Sequence, residues 1–197
     1  MTLFASSYPY LSKIELKDLE KQSGGSAEDR IMDYTKTIKL YKNYSRLEQL
    51  EKVNAYLNQL PFKEDALNQQ KSDYWETPKE FLTCGYGDCE DYVAIKYFTL
   101  IKLGFEKEKL FFTAVYEKYS GKFHMVLSYF RDNAQEPLIL DNLSCKILDL
   151  KKREDLEAKY FINSSGVYKL DRGHALVKLS QNSRKFRELL ERVENEG

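Results

Sequence analysis

Hydrophobic positions along the chain change their period twice, dividing it into helices, then strands, then a closing helix. From Ser45 to Leu60, the residues Leu47, Leu50, Val53, Tyr56, Leu57 and Leu60 recur at helical spacing with charges opposite, which predicts an amphipathic helix. An earlier, weaker helix is expected near Leu11 to Lys21, separated from it by the loop Gln22-Ser23-Gly24-Gly25-Ser26. Thr77-Pro78-Lys79-Glu80 combines a capping hydroxyl, a proline suited to the first helical position and the glutamate of a capping box. The short helix that starts there should end at Gly85, with Gly85-Tyr86-Gly87 as a tight turn. A longer helix is predicted from about Cys89 to Leu103, stopped by Gly104. Its residues Val93, Ala94, Tyr97, Phe98, Leu100 and Ile101 make a wide apolar face. Cys89 therefore opens a helix.

The middle of the chain follows a period of two. Leu110 to Glu117 is rich in strand formers, Gly121 marks a hairpin turn, and Phe123 to Phe130 alternates. Pro137 to Asp141 reads as a third strand after an Asp-Asn turn, and Lys146 to Leu150 as a fourth. From about Ser180 to Glu194 the helical period returns, with Phe186, Leu189, Leu190 and Val193 on one side. This order predicts an α+β protein. Residues 1–197 are expected to form one domain, with a helical part over about 1–105, a sheet part over about 106–175 and a C-terminal helix over about 180–194.

Composition narrows the function. A chain of 197 residues, 42% apolar and 31% charged, with 15 Tyr and 11 Phe, can bury a core. Its formal net charge is zero, so no broad basic field attracts nucleic acid or an anionic membrane. No apolar run is long enough to span a bilayer. The opening residues Met1 to Ser7 lack the basic start and apolar stretch of a signal peptide. A cytosolic protein and one whose signal has been removed both fit that start. Three cysteines, Cys84, Cys89 and Cys145, leave an odd thiol and no CxxC pair. With only His124 and His174 available, a histidine-rich metal centre is excluded.

Candidate chemistry centres on Cys89. A thiol is a good nucleophile only as thiolate, and a helix N-terminus beside an imidazole stabilises that form. His124 lies on the second strand, on a face with Val126, Ser128 and Phe130, and Asp141 ends the next strand. If those strands pair, the carboxylate can hold the imidazole from behind. Each residue also has an ordinary structural reading: a small buried cysteine, a hydrogen-bonded histidine, an aspartate in a turn. Spacing alone leaves both readings open.

The segments Asp73-Tyr74-Trp75-Glu76-Thr77-Pro78-Lys79-Glu80-Phe81-Leu82 and Gly85-Tyr86-Gly87-Asp88-Cys89-Glu90-Asp91-Tyr92 closely resemble the bacterial transglutaminase-like cysteine proteinases, the family of the LapG-type periplasmic proteases. Lys96-Tyr97-Phe98, His124-Met125-Val126-Leu127 and Leu138-Ile139-Leu140-Asp141-Asn142-Leu143 follow in the family's order, and Arg30 and Val53-Asn54 also look like family positions. The resemblance runs from about residue 30 to 170. It implies a papain-like or transglutaminase-like fold, its helical N-terminal part packed on an antiparallel sheet, with Cys89, His124 and Asp141 as catalytic triad. By the same resemblance the protein is a calcium-dependent endopeptidase of the periplasm. It would cut the N-terminal region of a large surface adhesin, promote biofilm dispersal, and be inhibited by the periplasmic domain of a LapD-like cyclic di-GMP receptor.

The resemblance maps calcium onto Asp88 and Glu90, and less directly onto Asp91. A local physical motive exists. Each unpaired anion within about 6 Å disfavours a thiolate by roughly 2–3 kcal/mol at an effective dielectric near 20, and a hard cation with oxygen ligands would cancel that repulsion. Without the resemblance, the three acids read as complements to the helix dipole that point to solvent. An EF-hand loop is absent.

Several residues fall outside the family pattern. Cys84 is either a threat to Cys89 through a disulfide or an inert thiol. Cys145 reads as a small strand residue, His174 as a surface loop residue, and Trp75 as a buried anchor near the helix that begins at Cys89. Other functions use the same groups: a transglutaminase-type acyl transferase resolves the same acyl-enzyme with an amine, an arylamine acetyltransferase has the same triad but other motifs, and an idle module would only bind adhesin or receptor.

Overall fold

The structure, a computed structural model, describes residues 26–63, 74–131, 136–171 and 175–196. Among these residues four α-helices come first: α1 (Ser26–Tyr41), α2 (Arg46–Leu57), α3 (Pro78–Cys84) and α4 (Cys89–Lys102). Seven strands follow: β1 (Leu110–Glu117), β2 (Lys122–Tyr129), β3 (Leu138–Asp141), β4 (Ser144–Asp149), β5 (Leu156–Asn163), β6 (Gly166–Leu170) and β7 (Leu176–Ser180). The last element is α5 (Arg184–Asn195). The strands form one sheet in the order β4-β3-β2-β1-β5-β6-β7, and every pairing is antiparallel. This is the α+β arrangement expected from the two changes of period.

α4 is the centre of the fold. Every residue from Asp91 to Leu100 is buried, because the helix packs on β1 and β2 on one side and on α2 and α3 on others. The large core joins Leu50, Val53 and Leu57 of α2, Val93, Ala94 and Tyr97 of α4, Phe112 of β1, Met125 and Leu127 of β2, and Phe186 and Leu189 of α5. Trp75 is the buried anchor expected, stacked on Phe112 with ring centres 5.2 Å apart. The far face of the sheet carries smaller cores, one built from Val115, Val126, Ile139 and Leu156. The connection from β4 to β5 reaches this region from the sheet's edge, since three strands separate the two.

The capping signals place helix starts accurately. Thr77 caps α3 and Ser45 caps α2, each in a reciprocal box with the glutamate three residues on. Other details differ from the sequence reading. α1 was not anticipated, because its buried stripe of Ala27, Ile31, Tyr34 and Ile38 is thin and diluted by charge. The expected helix at Leu11 to Lys21 lies outside the described residues. Leu47, assigned to the apolar stripe of α2, is exposed. Gly85 does cap α3 in the left-handed conformation (φ 79°), but Gly85-Tyr86-Gly87 is not a tight turn. Gly87 instead forms a parallel bridge with Phe62, and a Cβ there would lie 2.6 Å from Asp91 Oδ2 and 2.8 Å from Phe81. β5, β6 and β7 had no strong alternation to mark them; β5 and β6 are only partly buried, and β7 has no buried residue.

The end of α3 is tied to α1 by Arg30. Its Nε donates to the Leu82 carbonyl at 2.8 Å and its Nη2 to the Thr83 carbonyl at 3.2 Å. The last carbonyls of a helix have no partner within it, so a guanidinium there satisfies acceptors that would otherwise be lost. Arg30→Met should lower stability by about 1–3 kcal/mol, read as a reduced urea midpoint with unchanged denaturant slope.

Candidate active site

The first turn of α4 is built by its own acids. Asp88 is the N-cap and its Oδ1 accepts from Glu90 N–H at 3.1 Å. Asp91, at the third helical position, returns the bond: its Oδ2 accepts from Asp88 N–H at 2.9 Å and its Oδ1 from Glu76 N–H at 2.7 Å. Cys89 occupies the first helical position, as expected. Its backbone N–H makes no hydrogen bond among the described residues, as befits one of the orphan donors of a helix start.

β3 pairs only with Leu127 to Tyr129 of β2, so the first half of β2 has no strand neighbour on that side. The start of α4 fills the gap. Met125 N–H donates to Cys89 Sγ, which puts the sulfur one residue along the strand from His124. The His124 ring is turned the other way: Nε2 bonds Asp141 Oδ1 at 2.8 Å, and Nδ1 has no hydrogen bond among the described residues. Strand alternation explains this, because His124 shares its face with Val126, whereas Met125 and Leu127 face α4. Strand alternation therefore puts the imidazole and the side chain of the residue that meets the sulfur on opposite faces of β2. No hydrogen bond joins sulfur and imidazole in this arrangement; the Cys89 thiol donates to Glu90 Oε2 at 2.8 Å.

Asp141 is fully buried. Besides the His124 bond, its Oδ1 accepts from Leu143 N–H at 3.0 Å and its Oδ2 from Arg153 Nη2 at 2.8 Å. Burial alone favours the neutral acid, but the His124 bond and charge, the Leu143 N–H and the Arg153 guanidinium outweigh it. They hold the carboxyl well below the usual range. An imidazole bonded to an ionised carboxylate thus stands one strand position from the residue whose N–H meets the Cys89 sulfur, and these three groups are of the kinds used in nucleophilic acyl transfer.

Comparison with known proteins fits this constellation. Residues 26–163 match the family described as bacterial transglutaminase-like cysteine proteinase, BTLCP. The chain belongs to that family. Calcium-bound LapG of Legionella pneumophila is 34% identical, over 92% of this chain and 99% of that one, with a TM-score of 0.79. The EGTA-treated form of the same protein is 34% identical, over 93% and 98%, with a TM-score of 0.76. No curated sequence matches significantly. The fold is accordingly that of a transglutaminase-like cysteine protease, and the chain is a cysteine proteinase by family.

Within this cysteine proteinase the candidate metal ligands separate into two groups. The ligand atoms of Asp88, Cys89 and Glu90 lie within 4.8 Å of one another. Asp91 stands apart from them, buried and accepting from two backbone N–H groups. Burial pushes the Cys89 thiol far above its ordinary range, the charge and hydrogen bond of Glu90 and the charge of Asp88 add to this, and Met125 N–H only partly opposes. The thiol is protonated here. The two neighbouring carboxylates of Asp88 and Glu90 are oxygen donors of the kind a hard divalent cation takes.

Cys84 and Cys145 are free thiols, the first half-buried and the second exposed on β4. Burial, then the charge of Glu76, raises Cys84 to about 11, which disfavours its thiolate form. His174 lies outside the described residues.

Two supporting groups escaped the sequence reading. Arg153 sits in the charged run Lys151 to Asp155, which reads as a solvated turn. Lys96 was noted only as a family position, yet it is buried, with Nζ bonded to Asn54 Oδ1 at 2.8 Å. Asn54 Nδ2 in turn donates to the Ser144 carbonyl at 2.8 Å, tying α4 through α2 to β4. A lysine at the centre of an otherwise apolar helix face was the available signal.

Burial lowers Lys96 to about 7, against the opposing charges of Asp141 and Cys145. Unfolded, it keeps its proton up to about 10.4. Between those values the unfolded chain binds more protons, so this residue makes stability rise with pH across that window. Lys96→Met should remove the slope. Urea unfolding at pH 7 and pH 9 should show wild type gaining on the variant at the higher pH; a constant difference would mean that Lys96 is charged in the fold.

Proposed function

We propose that the chain is a calcium-dependent cysteine endopeptidase with Cys89 as nucleophile, His124 as general base and acid, and Asp141 as the carboxylate that orients the imidazole. One observation carries the reading: the sulfur rests on the backbone N–H next to an imidazole whose far nitrogen is bonded to a buried, ionised aspartate. His124 Nδ1, the ring nitrogen left open by the Asp141 bond, takes the thiol proton, and the thiolate attacks a peptide carbonyl. The imidazolium then protonates the leaving amine. Water, deprotonated by His124, releases the acyl group. The unpaired Cys89 N–H, at the positive end of α4, is one donor for the oxyanion.

Asp88 and Glu90 would hold the calcium ion. When bound, it supplies positive charge beside the sulfur and engages the Glu90 carboxylate that now accepts the thiol proton. The calcium-bound and EGTA-treated forms of LapG support calcium as the ion. Asp91, accepting from Asp88 and Glu76 N–H groups, braces the metal-bearing turn. By the same likeness, the substrate is the N-terminal region of a large surface adhesin, the compartment is the periplasm, and the inhibitor is the periplasmic domain of a LapD-like receptor. Among the described residues, no helix is long and apolar enough to cross a membrane.

Incubation with adhesin N-terminal fragments should yield products with new N-termini, not cross-linked species. Cys89→Ala should lower the rate by about 10⁴-fold or more with an unchanged circular dichroism spectrum; retained cleavage would refute the nucleophile assignment. A calcium chelator, or Asp88→Ala, should suppress turnover without unfolding the protein. Full activity in chelator would remove the metal from the mechanism.

A further inference from the structure

The Asp141 carboxylate is gripped from two sides. One oxygen serves the imidazole; the other belongs to Arg153, at 2.8 Å. Arg153 comes from neither β2 nor β3. It arrives on the connection from β4 to β5, fixed by its N–H on the Leu150 carbonyl at 2.9 Å and by its own carbonyl accepting from Leu156 N–H at 3.0 Å. Its side chain is only 10% exposed. Asp155 holds the same guanidinium: Nε reaches Oδ1 at 2.9 Å and Oδ2 at 3.1 Å, and Nη2 reaches Oδ2 at 2.6 Å. One Nη2 thus bridges a fully buried carboxylate and a partly exposed one.

We propose that Arg153 is a positioning residue for the reaction, locking the Asp141 carboxylate with Oδ1 turned to His124, and that Asp155 sets the charge the imidazole faces. The proposal rests on the Cys89–His124–Asp141 reading. A carboxylate held through one oxygen can rotate about its last bond; one held through both cannot. Buried without a cation, Asp141 would also tend to take up a proton and lose its ability to stabilise imidazolium. Arg153 supplies a permanent charge against that tendency. A lone guanidinium would overshoot, because it also repels the imidazolium. Asp155 offsets this: two carboxylates and one guanidinium leave one negative charge behind His124. Lys96 of α4 also interacts with the Asp141 charge, and the neutral Asn58, the C-cap of α2, donates from Nδ2 to the Asp141 carbonyl at 2.8 Å.

The two partners have opposite effects, which a merely structural role does not produce. The chain has two histidines, so ring NMR can follow His124 directly, identified as the signal that His124→Gln removes. Arg153→Met leaves two carboxylates without their cation and should raise the His124 titration midpoint by about one pH unit. Asp155→Asn leaves the guanidinium under-compensated and should lower it by about half a unit. Arg153→Lys should restore most of the wild-type value. Unshifted midpoints in folded Arg153→Met and Asp155→Asn would overturn the proposal. If Arg153→Met does not fold, Asp155→Asn decides alone, since Asp155 is partly exposed and its replacement keeps the shape. Failure of the protease reading is separate: it shows as retained cleavage in Cys89→Ala, whatever the NMR result.

Discussion

The short length of β3 is the constraint on which the site depends. Its four residues leave the beginning of β2 with an open side, and a strand's N–H groups must find acceptors when buried. The first turn of α4 supplies one, the Cys89 sulfur, to Met125 N–H. α4 cannot slide from that position, because ten consecutive residues from Asp91 to Leu100 are enclosed by the sheet and the other helices. Packing along the helix thus fixes one sulfur at its end.

Electrostatics at that end run in two directions. The helix N-terminus favours a thiolate, yet burial and the carboxylates of Glu90 and Asp88 outweigh it, leaving the thiol protonated and bonded to Glu90. The acids are not there for the thiol's sake alone. Asp88 and Asp91 form a capping box that any buried helix start would use, and Asp91 also ties down the Trp75–Thr77 segment through Glu76 N–H. Glu90 is the acid left over, and its oxygen lies against the sulfur.

On the other face of β2 the balance is reversed. Asp141 is as dry as any group in the core, yet it stays ionised because an imidazole, a backbone N–H and a guanidinium converge on its two oxygens. The sheet therefore separates a thiol held neutral from a carboxylate held charged, with His124 at the boundary. The same strand, alternating its side chains, serves both: Met125 turns towards the helix and His124 away from it.

Local rules written in the residues were sufficient for much of this. The capping boxes at Ser45 and Thr77, the left-handed Gly85, the β1–β2 hairpin around Gly121 and the start of α4 at Cys89 follow from propensities that act over a few residues. The family likeness was legible in the Gly-Asp-Cys-Glu-Asp block for the same reason, since those residues shape one turn. α1, β5 and β6 were missed because their burial comes from distant partners and leaves only a faint period, and β7 because it buries no residue and so carries no period at all. Tertiary structure alone decided that His124 faces away from α4, that Asp91 turns inward to backbone N–H groups, and that Arg153 closes on Asp141 from a turn that reads as solvated. Each of these depends on strand order and on how far β3 extends, and pairings between residues far apart in the chain leave no mark on the local sequence.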